Sequence, residues 1–244
     1  LSGCASIKDM FNFSGNKDVN VHKPAETLII NGLDDFNIGR YDTAEKFFTE
    51  ILDWYPFSPQ AILAELKAAD CKYFLQHYSQ ALILYKQFEE RHPTNEAMPY
   101  VMYQKGMCNY NRIDTIDRDP DGAVQAIQDF SQLLRAYPVS PYTDEAKARI
   151  RAAKEFLVNH EYFVVNFYLR TGKYKQAETR LKYLIARYPN AMIIPRAKKL
   201  LARLEAGNPP HYGISEWFAD LSLPNWNTFF SGKSFTLPAT KKDN

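Results

Sequence analysis

The residues of this chain best suited to chemistry are its three cysteines, Cys4, Cys71 and Cys108, and its five histidines. Three scattered cysteines are too few for a disulfide framework or a zinc site. His22, His77, His92, His160 and His211 form no HxxxH pair and no Cys/His cluster that would hold a metal. No GxSxG nucleophile turn, GxxxxGK[ST] phosphate loop or GxGxxG dinucleotide loop occurs. The Asp117/Asp119 pair in "DRDP" (117–120) could begin a calcium loop. It lacks the following ligand spacing and the distant Glu that such a loop needs, and reads better as a solvated turn. The chain is therefore expected to be non-enzymatic, with no cofactor and no metal.

Cys4 stands apart. In "LSGC" (1–4) a Leu and two small residues precede the thiol. That is the pattern of a lipobox, in which sulfur takes a diacylglycerol through a thioether and the small residues fit the processing peptidase. The competing reading is an incidental cysteine in an ordinary terminus. The lipobox reading makes residues 1–3 the remnant of a lipoprotein signal peptide, Cys4 the lipid attachment site and 4–23 a lipidated linker. Several acyl chains anchor stably, at about 0.8 kcal/mol per buried CH₂. Ala5 rather than Asp follows the cysteine. By similarity to Gram-negative lipoproteins, that favours the periplasmic face of the outer membrane.

The elements behind these residues are set by a repeat. Four segments share one frame: "YDTAEKFFTEILDWYP" (41–56), "YSQALILYKQFEERHP" (78–93), "AVQAIQDFSQLLRAYP" (123–138) and "YKQAETRLKYLIARYP" (174–189). Alanine stands fourth, a large apolar residue eighth (Phe48, Tyr85, Phe130, Leu181) and another eleventh (Ile51, Phe88, Leu133, Leu184). Steps of four and three fall on one face of a helix. A ring and a proline close each frame, and the proline cannot continue the helix. Ala44/Pro56, Ala81/Pro93, Ala126/Pro138 and Ala177/Pro189 all keep the twelve-residue spacing of a tetratricopeptide second helix.

First helices are expected near 24–37, 59–75, 97–112 and 143–170, with Gly32 and Ala69 at the small position. Successive frame prolines lie 37, 45 and 51 residues apart, so the later repeats carry insertions. One is a loop at 111–122 and the other lengthens the helix 143–170. The run 194–207 reads as a further first helix or as a cap. The predicted fold is an all-α, right-handed solenoid of about five helix pairs over 24–207, followed by an irregular aromatic-rich extension over 208–244. That extension either drapes over the last repeat, with "SEWFADL" (215–221) as a short helix, or docks to a partner or membrane interface. Cys71 and Cys108 each follow a frame proline by fifteen residues. Equivalent positions on packed helices lie about 8–10 Å apart, beyond the ~7 Å of a disulfide. Both read as buried thiols, with a disulfide or redox pair as the alternative.

The formal charge is +2, which gives no case for nucleic-acid binding. No apolar run reaches the ~18 residues of a membrane-spanning helix. Function must then lie in surfaces. Phe36, Tyr41, Trp54, Tyr55 and Phe57 crowd the first repeat. Most read as core, but Phe57 lies in the Pro56–Pro59 turn beyond the helix. Arg180 precedes the stripe residue Leu181, and Arg187 follows seven residues on, with a solvated basic face as the plain reading.

The pieces "YPFSP" (55–59), "HPTNEAMPYVMYQKGM" (92–107), "DRDP", "YPVSPYTDEA" (137–146) and "EYFVVNFYLRTGKY" (161–174) resemble the BamD family. These are lipoproteins of the machine that assembles β-barrels in the outer membrane. The resemblance spans roughly 24–200, and the tail beyond 207 departs from it. It implies a scaffold that binds a barrel-forming subunit with POTRA domains, other assembly lipoproteins and the C-terminal signals of unfolded outer-membrane proteins. It implies a peptide site in the first repeat, here Phe36, Tyr41, Tyr55 and Phe57, and a partner contact at Arg180, which Arg187 is expected to join from nearly the same helical face. The alternative is a periplasmic tetratricopeptide lipoprotein serving division, pilus or peptidoglycan machinery.

Replacing the acylated thiol tests the anchor. Cys4→Ser is expected to move the chain from the membrane pellet to the soluble periplasmic fraction. Unchanged pelleting with no partner to hold the chain would contradict a lipid at this residue.

Overall fold

A computed structural model of the chain describes residues 23–113 and 119–210. Cys4, Asp117 and the segment 215–221 lie outside these described residues. Within them the elements are nine α-helices and no strand. They are α1 (Ala25–Asn37), α2 (Tyr41–Trp54), α3 (Pro59–Phe74), α4 (Tyr78–Arg91) and α5 (Met98–Asn111). They continue with α6 (Asp121–Ala136), α7 (Thr143–Arg170), α8 (Tyr174–Arg187) and α9 (Ile194–Glu205). The fold is all-α and built of tetratricopeptide-like helix pairs. Two compact units divide the chain at Leu84/Tyr85, inside α4.

Each frame residue does what its spacing predicts. Ala44, Phe48 and Ile51 on α2 are fully buried, as are Ala126, Phe130 and Leu133 on α6 and Ala177, Leu181 and Leu184 on α8. Ala81, Tyr85 and Phe88 on α4 are equally inaccessible. The ring before each proline closes its helix. Tyr55, His92, Tyr137 and Tyr188 donate their N–H groups to the carbonyls of Ile51, Phe88, Leu133 and Leu184 at 2.7–3.0 Å. The proline that follows has no N–H, so the ladder stops there.

The first helices α1, α3, α7 and α9 end differently. Gly39, Gly172 and Gly207 sit at φ +81°, +70° and +69°, and Gln76 takes the same left-handed position at φ +62°. At each, the next N–H reaches back five residues, as from Arg40 to Asp35, His77 to Lys72, Lys173 to Tyr168 and Asn208 to Arg203. This is the Schellman closure, for which glycine is the usual residue.

The loop expected over 111–122 is shorter than drawn. Asp121 and Gly122 form the first turn of α6, whose start is fixed by the Asp121 N–H donating to the Asp119 carboxylate at 2.9 Å. The second insertion is the 28-residue α7. Cys71 and Cys108 are both free and buried. Burial, aided by the Asp70 and Glu45 carboxylates, pushes the Cys71 thiol up to about 12, so it stays protonated and is a poor nucleophile.

Within each unit the helices approach closely where a small residue faces a large one. A methyl group on Gly32 would lie 2.6 Å from the Phe48 ring, and one on Gly106 would lie 2.5 Å from the Phe130 ring. The fourth pair balances its volumes the other way. Val165 holds the equivalent place, sixteen residues before Leu181 as Gly32 is before Phe48, and both are fully buried in one core.

Gly106→Val should therefore destabilise the chain by about 1–3 kcal/mol or more through overpacking. Adding Phe130→Leu, which recreates the Val165/Leu181 pairing, should recover most of that loss. The two denaturation midpoints decide it, and additive losses would show that the two positions do not share a contact.

Candidate functional site

The aromatic residues singled out in the first repeat fall at two places. Phe36, near the end of α1, is nearly buried and meets Tyr41 edge-on at 5.3 Å between ring centres and Phe74 edge-on at 5.6 Å. Tyr41 stacks on Phe74 at 4.8 Å, nearly parallel. Tyr73 and Tyr78 extend the group. Lys67 holds its ammonium 4.5 Å over the Phe36 ring and is paired at 2.9 Å with the buried Asp70. That carboxylate keeps the cation in place against the ring face, an arrangement favoured by the ring quadrupole.

Tyr55 and Phe57 lie beyond the other end of α2. Tyr41 opens that helix, and fourteen residues at 1.5 Å each carry the chain about 20 Å to Tyr55. Tyr55 is half-buried against the core of the first unit. Phe57 is fully exposed, at 100%, and Trp54 beside it is 57% exposed. The fold thus joins Phe36 with Tyr41 and separates both from Phe57. Tyr73 and Phe74 were missed by sequence reasoning. Their one available clue was their place on the last turn of a first helix, directly before the turn into α4.

Arg180 is half exposed on α8. One end of its guanidinium pairs with the Glu161 carboxylate of α7, at 3.1 and 3.4 Å from the two oxygens. It borders a shallow hollow with Tyr168, Lys175 and Thr179. Arg187, two turns further along α8, lines a different hollow. That second hollow is a groove of about 800 Å³ between α6, α7 and the end of α8, with Ile127, Leu157 and Tyr183 among its walls. Arg151 and Lys154 share it with Arg187, against the single carboxylate of Glu155. Burial raises the pKa of the Tyr188 phenol at its edge. Sequence reasoning did not find this groove.

Among the described residues no group of three or more His, Cys, Asp or Glu side chains could hold a metal ion. No described helix is long and apolar enough to cross a membrane.

Helix pairs packed through small and large residues in this recurring frame define a tetratricopeptide-type repeat protein. The family of outer membrane lipoproteins described as YfiO matches residues 22–208, and the chain belongs to that family. It is similar to the outer membrane protein assembly factor BamD of Vibrio cholerae, at 28% identity over 84% of this chain and 89% of that protein. It is likewise similar to BamD of Pasteurella multocida, at 27% over 77% of this chain and 76% of that one. BamD of Neisseria gonorrhoeae is 27% identical over 82% and 78%.

The two aromatic places should differ in stability. Phe36→Ala removes a ring packed on two others and is expected to cost about 3 kcal/mol or more. Phe57→Ala should leave the melting temperature unchanged. A drop for Phe57→Ala comparable with that for Phe36→Ala would make Phe57 a packing residue.

Proposed function

We propose that this chain is an outer membrane protein assembly factor, a lipid-anchored scaffold at the periplasmic face of the outer membrane. The observation that carries this reading is the family match across nearly the whole described chain. In this reading Cys4 holds the lipid and residues 4–23 tether the helical body. The body binds a barrel-forming subunit with POTRA domains and other assembly lipoproteins.

Arg180 is the partner contact. Guanidinium offers five donors in a fixed fork, and Glu161 engages one end of it. The geometry supports a second, partner carboxylate on the remaining donors, which bidentate pairing favours. Unfolded outer-membrane proteins are bound through C-terminal aromatic signals. The plate of Phe36, Tyr41 and Phe74 and the exposed Phe57 lie about 20 Å apart along α2. An extended segment of about six residues spans that length, so the two places suit one peptide carrying rings near both ends. Rings bury large area at low entropic cost.

The experiment is co-purification with the POTRA-containing subunit over a series of salt concentrations, alongside titration with a peptide ending in an aromatic residue. Arg180→Glu should lose the subunit while keeping helicity, with only a small fall in melting temperature from the lost half-exposed pair with Glu161. An Asp→Lys or Glu→Lys change in the subunit should restore it. Phe57→Ala should weaken the peptide and leave the subunit bound. Wild-type recovery of the subunit by Arg180→Glu at every salt concentration would remove Arg180 from the interface. Co-purification with cell-wall factors instead would overturn the assembly reading.

A further inference from the structure

The groove between α6, α7 and α8 has apolar walls and a basic rim formed by Arg151, Lys154 and Arg187. We propose that its occupant is the segment 215–221 of the same chain, "SEWFADL". Four observations favour this segment.

The first is chemistry. Glu216 and Asp220 are the only carboxylate side chains between 208 and 240, and they stand four apart. In a helix that spacing puts both on one face, and Trp217 and Leu221 share a second face by the same step. An acidic face beside an apolar one complements a groove with a basic rim and apolar walls.

The second is attachment. The segment follows α9 in the chain, and α9 lies in the same compact unit as the groove. The third is direction. The chain leaves α9 through the left-handed Gly207, and the Asn208 N–H returns to the Arg203 carbonyl at 3.0 Å. This closure turns the backbone away from the helix axis instead of extending it.

The fourth is reach. Ala191, in the connection before α9, lines the groove. From there to the end of α9 is about 28 Å, made of three residues of connection and twelve of helix. The ten residues from Glu205 to Ser215 extend to about 33 Å. The segment can therefore double back along α9 and enter the groove. The inference does not rest on the partner role of Arg180, which borders the other hollow.

Cross-linking in the full-length chain tests this. Cys4→Ser removes the lipid site, and the buried Cys71 and Cys108 remain. Gln128→Cys, on the exposed lip of the groove, is combined in turn with Ser215→Cys, Ser222→Cys or, as a control, Thr240→Cys. A short bis-maleimide should join the thiol introduced on the lip to one of the first two faster than to the control, at a rate independent of protein concentration. Glu216→Lys with Asp220→Lys should slow that reaction about fivefold or more, as expected for losing surface ion pairs. Lys154→Glu with Arg187→Glu, added to the reversed tail, should restore it. Rates equal to the control, or unmoved by charge reversal, would overturn the proposal. A rate that rises with protein concentration would assign the groove to a second copy of the chain and overturn it too.

Discussion

The structure depends on how closely two helices of a pair can approach. Where α1 meets α2 and α5 meets α6, the contact is a glycine against a phenylalanine ring, with no room for a methyl group between them. The frame alanines Ala44, Ala126 and Ala177 are fully buried at the same time. Small residues let backbones draw together, and the large partner fills the volume left beside them at native packing density. Val165 with Leu181 reaches the same end with both volumes intermediate. A side chain at one of these positions is therefore constrained jointly with its partner across the contact.

Several polar groups buried near these close contacts are paired, although the Asn166 Oδ1 on α7 has no hydrogen-bond partner among the described residues. Lys105 reaches Glu89, Asn109 donates to Asp129 at 2.7 Å and Lys67 holds Asp70. Burial raises the Asp129 pKa, while the bond from Asn109 works in the opposite direction. Replacing one member of such a pair would leave its partner desolvated without compensation, which is the costly case. The Lys105–Glu89 and Asn109–Asp129 pairs cross between neighbouring helices, so they set register where apolar packing alone would tolerate a shift.

With the interior occupied in this way, the outer surfaces are free to differ between repeats. The first unit shows rings at both ends of α2. The second shows Arg180 beside one hollow and a basic groove at another. A repeat can present such unlike faces on a common frame without altering its core.

The sequence by itself determined the repeat frame, the helix order and the buried stripe. Each repeat solves the same packing problem, so spacings of four, three and twelve recur and can be read without a structure. Even the second insertion was legible, because α7 carries helical residues throughout. Tertiary structure alone decided what the exposed residues meet. Tyr41 and Phe57 are sixteen positions apart in the chain, yet a rigid helix holds them at opposite ends. Tyr41 and Phe74 are thirty-three apart and stack. Arg180 finds Glu161 nineteen residues earlier, while Arg187, close by on the same helix, faces another hollow. The left-handed turn at Gln76 carries no glycine to announce it. The physical reason is that local spacing determines which side of a helix is buried, whereas a surface site is assembled from side chains of different helices, and their juxtaposition exists only once those helices have packed.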